Sequence, residues 1–158
     1  MVLTASANAG IPKTELRAGG HTQRGGLVWE DWTSGDGHPC VAESGDGPGT
    51  FPKPLRVSRG RHRARFVLLR RQRPAAVKIT AWRRLDSDGS GSGRGERLAR
   101  VLRPRRDSRG RVVAWTARFS VHLPPRYYLR LYVRWPNGRC GGPRHVLRTY
   151  SIAARTGG

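Results

Sequence analysis

Lysine is nearly missing from this 158-residue chain: Lys13, Lys53 and Lys78 stand alone, so 28 of the 31 basic residues are arginine. Isoleucine (Ile11, Ile79, Ile152) and asparagine (Asn8, Asn137) are as scarce, while Gly and Pro number 21 and 11. GC-rich codons, as in many bacteria, produce such a profile without selection for binding. Two cysteines are too few for a disulfide-dense scaffold. No apolar run approaches the roughly 18 residues of a membrane helix, and no amphipathic stretch is long enough for a confident helix. The chain has no G-x-S-x-G elbow, phosphate-binding glycine loop or H-E-x-x-H helix. Its histidines (His21, His38, His62, His122, His145) have no local partner pattern. These absences favour a non-enzymatic module with no cofactor and no catalytic metal. They are joined by the lack of a helix-turn-helix pattern, an RNA-binding strand motif or zinc-finger spacing.

What is present is charge, unevenly placed. The formal net charge is +21 and the isoelectric point about 11.8. Residues 1–50 hold three basic and six acidic residues, a net of −3, which leaves +24 for residues 51–158. Codon usage accounts for the arginine total better than for this asymmetry. The segregation points to a polyanionic partner, whether nucleic acid, an anionic glycan or an anionic membrane surface.

Cys40 and Cys140 are compatible with one disulfide in an oxidising compartment. Two unpaired thiols, or a zinc site with His38 and His145, are the alternatives. The single residue between His38 and Cys40 is shorter than the two to four of a zinc knuckle. The opening Ala5-Ser6-Ala7-Asn8-Ala9 has the small-x-small pattern of a signal-peptidase site without the basic and apolar regions that precede one. It reads either as the remnant of a secretion signal or as an ordinary small-residue tail. With the cysteines, it sets the expected location as extracytoplasmic or secreted, and otherwise cytoplasmic.

Residues 1–25 show no periodicity and are expected to form a flexible leader, with residues 26–153 as one domain and 154–158 as a flexible tail. Two runs alternate clearly. In one, Val113, Trp115, Ala117, Phe119 and Val121 share a face; in the other, Tyr127, Leu129, Leu131, Val133 and Trp135 do. Weaker runs lie at 27–32, 55–58, 62–69, 76–85, 97–103 and 146–153. Gly, Pro, Asp and Ser clusters punctuate them. The pattern is all-β, with seven or eight antiparallel strands in a sandwich or barrel. Trp82 and Arg148 fall out of phase and have no assigned face.

From Leu55 to about Ala153 the succession resembles the immunoglobulin-like or fibronectin-type sandwiches of bacterial exported proteins. Its most specific element is Leu123-Pro124-Pro125-Arg126-Tyr127-Tyr128-Leu129. This resembles the entry to a penultimate strand, and Tyr127 would be the tyrosine corner. The cysteines do not occupy the facing strands of an antibody-type bridge. The resemblance implies instead that Cys40 and Cys140 approach at one end of the sandwich. Such folds serve adhesion, carbohydrate binding, spacing and chaperoning, so the first expectation is an interaction or scaffolding module.

The same implied topology gathers three arginine-bearing loops at one end: Arg70, Arg71 and Arg73; Arg105, Arg106 and Arg109; Arg139 and Arg144. These are the polyanion-binding candidates, because the guanidinium fork suits phosphate, sulfate and carboxylate oxygens. Asp86, Asp88 and Glu96 would occupy the opposite end. Solvated loop arginines are the bland alternative. Trp29, Trp32, Trp82, Tyr128 and Tyr132 could supply stacking, or serve as packing. The Asp86–Ser92 segment echoes a calcium loop, but Arg97 stands where its closing Glu belongs. A flexible Gly/Ser connection is expected there.

Overall fold

The computed structural model describes residues 13–31, 51–124, 126–136 and 144–156, with the backbone only for 26–31 and 144. Eleven strands make up the described part: β1 (Thr14–Ala18), β2 (His21–Arg24), β3 (Gly26–Asp31), β4 (Leu55–Val57), β5 (Gly60–Leu68), β6 (Ala76–Trp82), β7 (Glu96–Leu98), β8 (Val101–Arg106), β9 (Val112–Leu123), β10 (Tyr127–Trp135) and β11 (Arg144–Ala154). They form a β-sandwich. Sheet 1 has the order β2-β1-β5-β9-β8; sheet 2 has β3-β11-β10-β6-β7, with β4 added in parallel to β11.

The alternation in β10 has the simplest physical outcome. Tyr127, Leu129, Leu131, Val133 and Trp135 are buried between the sheets, and the residues between them face outward. From sheet 1, Leu16, Phe66, Leu68, Ala117, Phe119 and Val121 pack against them. The rings of Phe119, Phe66 and Tyr150 run through the middle with centroids 5.1 and 4.7 Å apart. Full burial of each large apolar side chain contributes roughly 1.5–3 kcal/mol.

Several elements differ from the sequence expectation, each for a local reason. The leader ends earlier than residue 25. Thr14, Leu16 and Ala18 point into the core, and β1 and β2 form a hairpin through Gly19 and Gly20. Five residues of alternation are too short a signal to stand out. At the other terminus, Ala154 still pairs with Val57, and the Arg155 N–H donates to the Val57 carbonyl at 2.7 Å. The run at 97–103 is two strands in different sheets, because the chain crosses at Ala99 and Arg100. Val113 is exposed rather than buried. The pairing shifts register there, so Val112 and Val113 together oppose Arg106, and the extra residue of this bulge turns outward.

The two out-of-phase residues have opposite fates. Arg148 lies on the inward parity of β11, beside Leu131. Trp82 lies on the outward parity of β6 and is nonetheless only 7 % exposed, because segment 83–95 folds over it. That segment is ordered. Asp86 and Ser90 close a turn at 2.8 Å, Ser92 N–H bonds the Arg84 carbonyl, and the Trp82 indole N–H donates to the Gly93 carbonyl at 3.1 Å. A Cβ at Gly91 would stand 2.3 Å from the indole and one at Gly95 2.7 Å, so these two glycines are required by close approach rather than by flexibility.

Candidate functional site: an arginine face on sheet 1

The outward residues of sheet 1 are set by its register. Thr22, Arg17, Arg65, Arg118 and Val101 stand directly opposite one another across all five strands. The next row is Arg63 beside Ser120, and beyond it Arg61 beside His122. On the other side lie Arg24, Glu15, the buried Val67 and Thr116, and Arg103, then Arg105. Among the described residues, eight arginines share this face with one carboxylate, Glu15, which is paired to Arg17 at 2.9 Å. The guanidinia of Arg61, Arg63, Arg65, Arg103, Arg105 and Arg118 make no hydrogen bond or ion pair with the described residues.

Like charges directly opposite one another on neighbouring strands destabilise a sheet. At roughly 4.8 Å between strands, Arg17, Arg65 and Arg118 concentrate positive charge along a line crossing the strands. Two depressions follow that line. One, of about 380 Å³, is lined by Arg17, Arg63, Arg65 and the β1–β2 turn. The other, of about 530 Å³, is lined by Arg63, Arg100, Arg103, Arg118 and Ser120 among others. Arg63 lines both, and the row they follow spans about 19 Å over four strand spacings. Near its β2 end, the Arg155 guanidinium donates to His21 Nε2 at 2.9 Å.

The loop arginines present a different picture. Segment 69–75 and turn 107–111 do lie at one end: the Trp115 indole N–H donates to the Arg71 carbonyl at 3.0 Å, and Arg71 is near enough to Asp107 to act on its charge. Yet several of these cations are already used. Arg70 binds the Gln72 side chain at 3.2 Å, Arg73 lies 5.5 Å from the Trp115 ring, and Arg106 donates to the Gly110 carbonyl. Asp107 is held below the usual carboxylate range, chiefly by the Arg111 N–H, helped by the Arg109 N–H, the Arg111 guanidinium and Arg71. Arg105 and Arg109 are exposed. Cys40, Cys140, Arg139 and Trp32 lie outside the described residues, as do the side chains of Arg144 and Trp29. The opposite end is less acidic than expected, for segment 83–95 carries Arg83, Arg84 and Arg94 beside Asp86 and Asp88.

The outer face of sheet 2 pairs three of its cations with rings. Arg130 lies 5.0 Å from the Trp82 ring, Lys78 5.6 Å from Tyr132 and Arg126 5.8 Å from Tyr128, while Phe51 meets Trp82 and Tyr128 edge-on. The Tyr132 hydroxyl bonds His145. Burial, and after it the charge of Arg97, lowers the Arg130 pKa from its ordinary value. Thr80 separates those two arginines in the row Arg130, Thr80, Arg97, a spacing that sheet 1 lacks. These rings are therefore engaged from within the protein, which leaves them poor stacking platforms.

Tyr127 is buried, and its hydroxyl accepts from the backbone N–H of His122 at 3.3 Å and from Arg83 at 2.6 Å, with the guanidinium 3.8 Å above its ring. The side chain ties the β9–β10 corner to segment 83–95. Among the described residues, no three His, Cys, Asp or Glu side chains gather to hold a metal ion, and no helix is long and apolar enough to cross a membrane. The functional candidates that sequence reasoning missed are Arg17, Arg63, Arg65 and Arg118. Alternation placed Arg118 outward, but only register brings it beside Arg65 and Arg17. Comparison with protein-family models, with curated proteins and with solved structures finds no match for the chain.

Proposed function

We propose that this domain is an immunoglobulin-like interaction module that holds an anionic polymer on the outer face of sheet 1. The observation that carries the reading is the row Arg17, Arg65 and Arg118, flanked by Arg63 and Arg103, whose charges are adjacent and, apart from Arg17, without partners among the described residues. A fold that tolerates such a row gains by bringing phosphate, sulfate or carboxylate oxygens to it. The immunoglobulin-like part rests on strand order. β1-β5-β9-β8 opposite β11-β10-β6 follows the ABED and GFC order of those sandwiches, and Tyr127 occupies the tyrosine-corner position. Binding rather than catalysis fits a broad, shallow site rich in one sign of charge.

The test is a salt-titrated binding series with heparin and with duplex DNA. The reading predicts affinity that falls steeply with salt, and a shallower slope once Arg63, Arg65 and Arg118 become Gln. No affinity for either polymer at low ionic strength would end it. An extracytoplasmic setting belongs to the proposal as well. Intact mass under non-reducing conditions should show the deficit of one intramolecular bridge between Cys40 and Cys140, and two free thiols would remove that support.

A further inference from the structure

We infer that the edge of β9 just beyond Arg118 is a docking slot for an extended acidic peptide; the inference rests on the arginine-face reading, since Arg63, Arg103 and Arg118 serve both. β9 runs to Leu123, but β8 covers it only from Val112 to Arg118. The cause is the crossover at Ala99 and Arg100, which delivers the chain to sheet 1 no earlier than Val101. On its other side β9 is fully paired with β5, from Leu68 opposite Trp115 to Gly60 opposite Leu123. Among the described residues, one flank of β9 therefore has a neighbour from Trp115 to Leu123, and the other loses its neighbour after Arg118.

In an antiparallel ladder, successive residues direct their N–H and C=O alternately to the two neighbours. The His122 N–H points away from β5, because it is donated to the Tyr127 hydroxyl. Ser120, two residues earlier, presents its N–H and C=O to the same open side. An exposed strand edge of this kind is a template for another strand. The free edge of β8 is guarded by comparison: Pro104 supplies no N–H, and Arg103, Arg105 and Arg106 crowd it with charge.

The surroundings select the chemistry of the added strand. Leu98 and Phe119 line the core side of the depression beyond Arg118, and Val101, 53 % exposed, lines its outward side with the arginines. Arg63, Arg100, Arg103 and Arg118 line the same depression without a carboxylate among them, and Arg100 is anchored through Nε to the Val77 carbonyl at 2.8 Å. A phosphate or sulfate polymer could neutralise the guanidinia, but it would leave the strand edge and the inward apolar side chains unused. A peptide that alternates acidic and apolar residues pairs with the edge, sets its acids against the guanidinia on the outward face and turns its apolar side chains towards Leu98 and Phe119. Tyr127 closes the slot at His122, so the paired stretch is about three residues, or roughly 10 Å.

The test uses the whole chain and two capped peptides of alternating Glu and Val, one of them N-methylated at its central amides so that charge and side chains are unchanged. The expected result is binding of the first peptide about tenfold tighter than the second, since only the first keeps the backbone hydrogen bonds. Binding should also perturb the amide resonance and slow the exchange of Ser120. Equal affinity of the two peptides, an unperturbed Ser120 amide, or binding of heparin and DNA without either peptide would overturn the slot while the arginine face stood. Loss of heparin and DNA binding altogether, with the Glu-Val peptide still bound at Ser120, would remove the broader reading and retain the slot.

Discussion

The two outer faces of this sandwich carry similar chemistry to different ends. Sheet 2 lays Arg130, Lys78 and Arg126 over Trp82, Tyr132 and Tyr128, and sets Thr80 between Arg130 and Arg97. Its cations are spaced, and three of them rest on rings of the protein itself. Sheet 1 sets Arg17, Arg65 and Arg118 side by side, and among the described residues only Arg17 of the three has a counter-charge. An arginine count cannot separate these faces, because a cation over a ring contributes to stability and a cation beside another cation opposes it. Unpartnered, mutually repelling cations are the ones available to an external anion.

The largest effect is expected where the stabilised face depends on its rings. Trp82→Ala removes the indole that supports Arg130, Phe51 and segment 83–95. It should cost about 3–5 kcal/mol in denaturant unfolding. A loss below 1 kcal/mol would mean that the face of sheet 2 is as loosely held as that of sheet 1.

Next comes the core between the faces. Burial, above all, pushes the Tyr150 pKa up to about 12 from 10, against a hydrogen bond with Thr14 and the charge of Arg148, with Glu15 adding to the rise. A raised phenol pKa means that the folded state keeps its proton while the unfolded chain loses one. The contribution is full below pH 10 and disappears as pH rises towards 12, an effect of at most roughly 3 kcal/mol. Urea unfolding at stepped pH should show it, and Tyr150→Phe should flatten the dependence. A smaller loss is expected at the corner. Tyr127→Phe leaves the Arg83 guanidinium and His122 N–H without their acceptor and should cost about 1–3 kcal/mol.

The smallest energies sharpen the contrast most, because they differ in sign. Arg65→Thr relieves two like-charge neighbours and should stabilise the fold by about 0.2–1 kcal/mol at low salt, with the gain vanishing as salt rises. Arg130→Thr removes a cation from the Trp82 ring and should destabilise by about 0.5–1 kcal/mol. Equal signs for the two variants would erase the distinction between the faces.

The sequence made the strands with long apolar alternation readable. β10 and the later part of β9 announce their inward residues, and the turn residues separate them. Shorter or broken signals were not readable: Thr14, Leu16 and Ala18 span a single five-residue strand, and the bulge at Val113 depends on the position of Arg106 in a partner strand. The site shows the same limit. Clustered arginines in loops are visible along the chain, whereas Arg17, Arg65 and Arg118 are separated by dozens of residues, and only register sets them in one row. Trp82 looked misplaced for a related reason, since what buries it is the folding-back of a glycine-rich segment whose composition suggested flexibility.

The central claim is that position, not net charge, makes the binding surface. It is tested by comparing two variants of identical charge: Arg63→Gln, Arg65→Gln and Arg118→Gln on sheet 1, against Lys78→Gln, Arg97→Gln and Arg134→Gln on sheet 2. The slope of log affinity against log salt is measured for whichever of heparin or duplex DNA binds the native chain more tightly. The account predicts a slope lowered by up to about three for the sheet 1 variant and nearly unchanged for the other. Equal reductions in both would show that any three cations serve, and would contradict it.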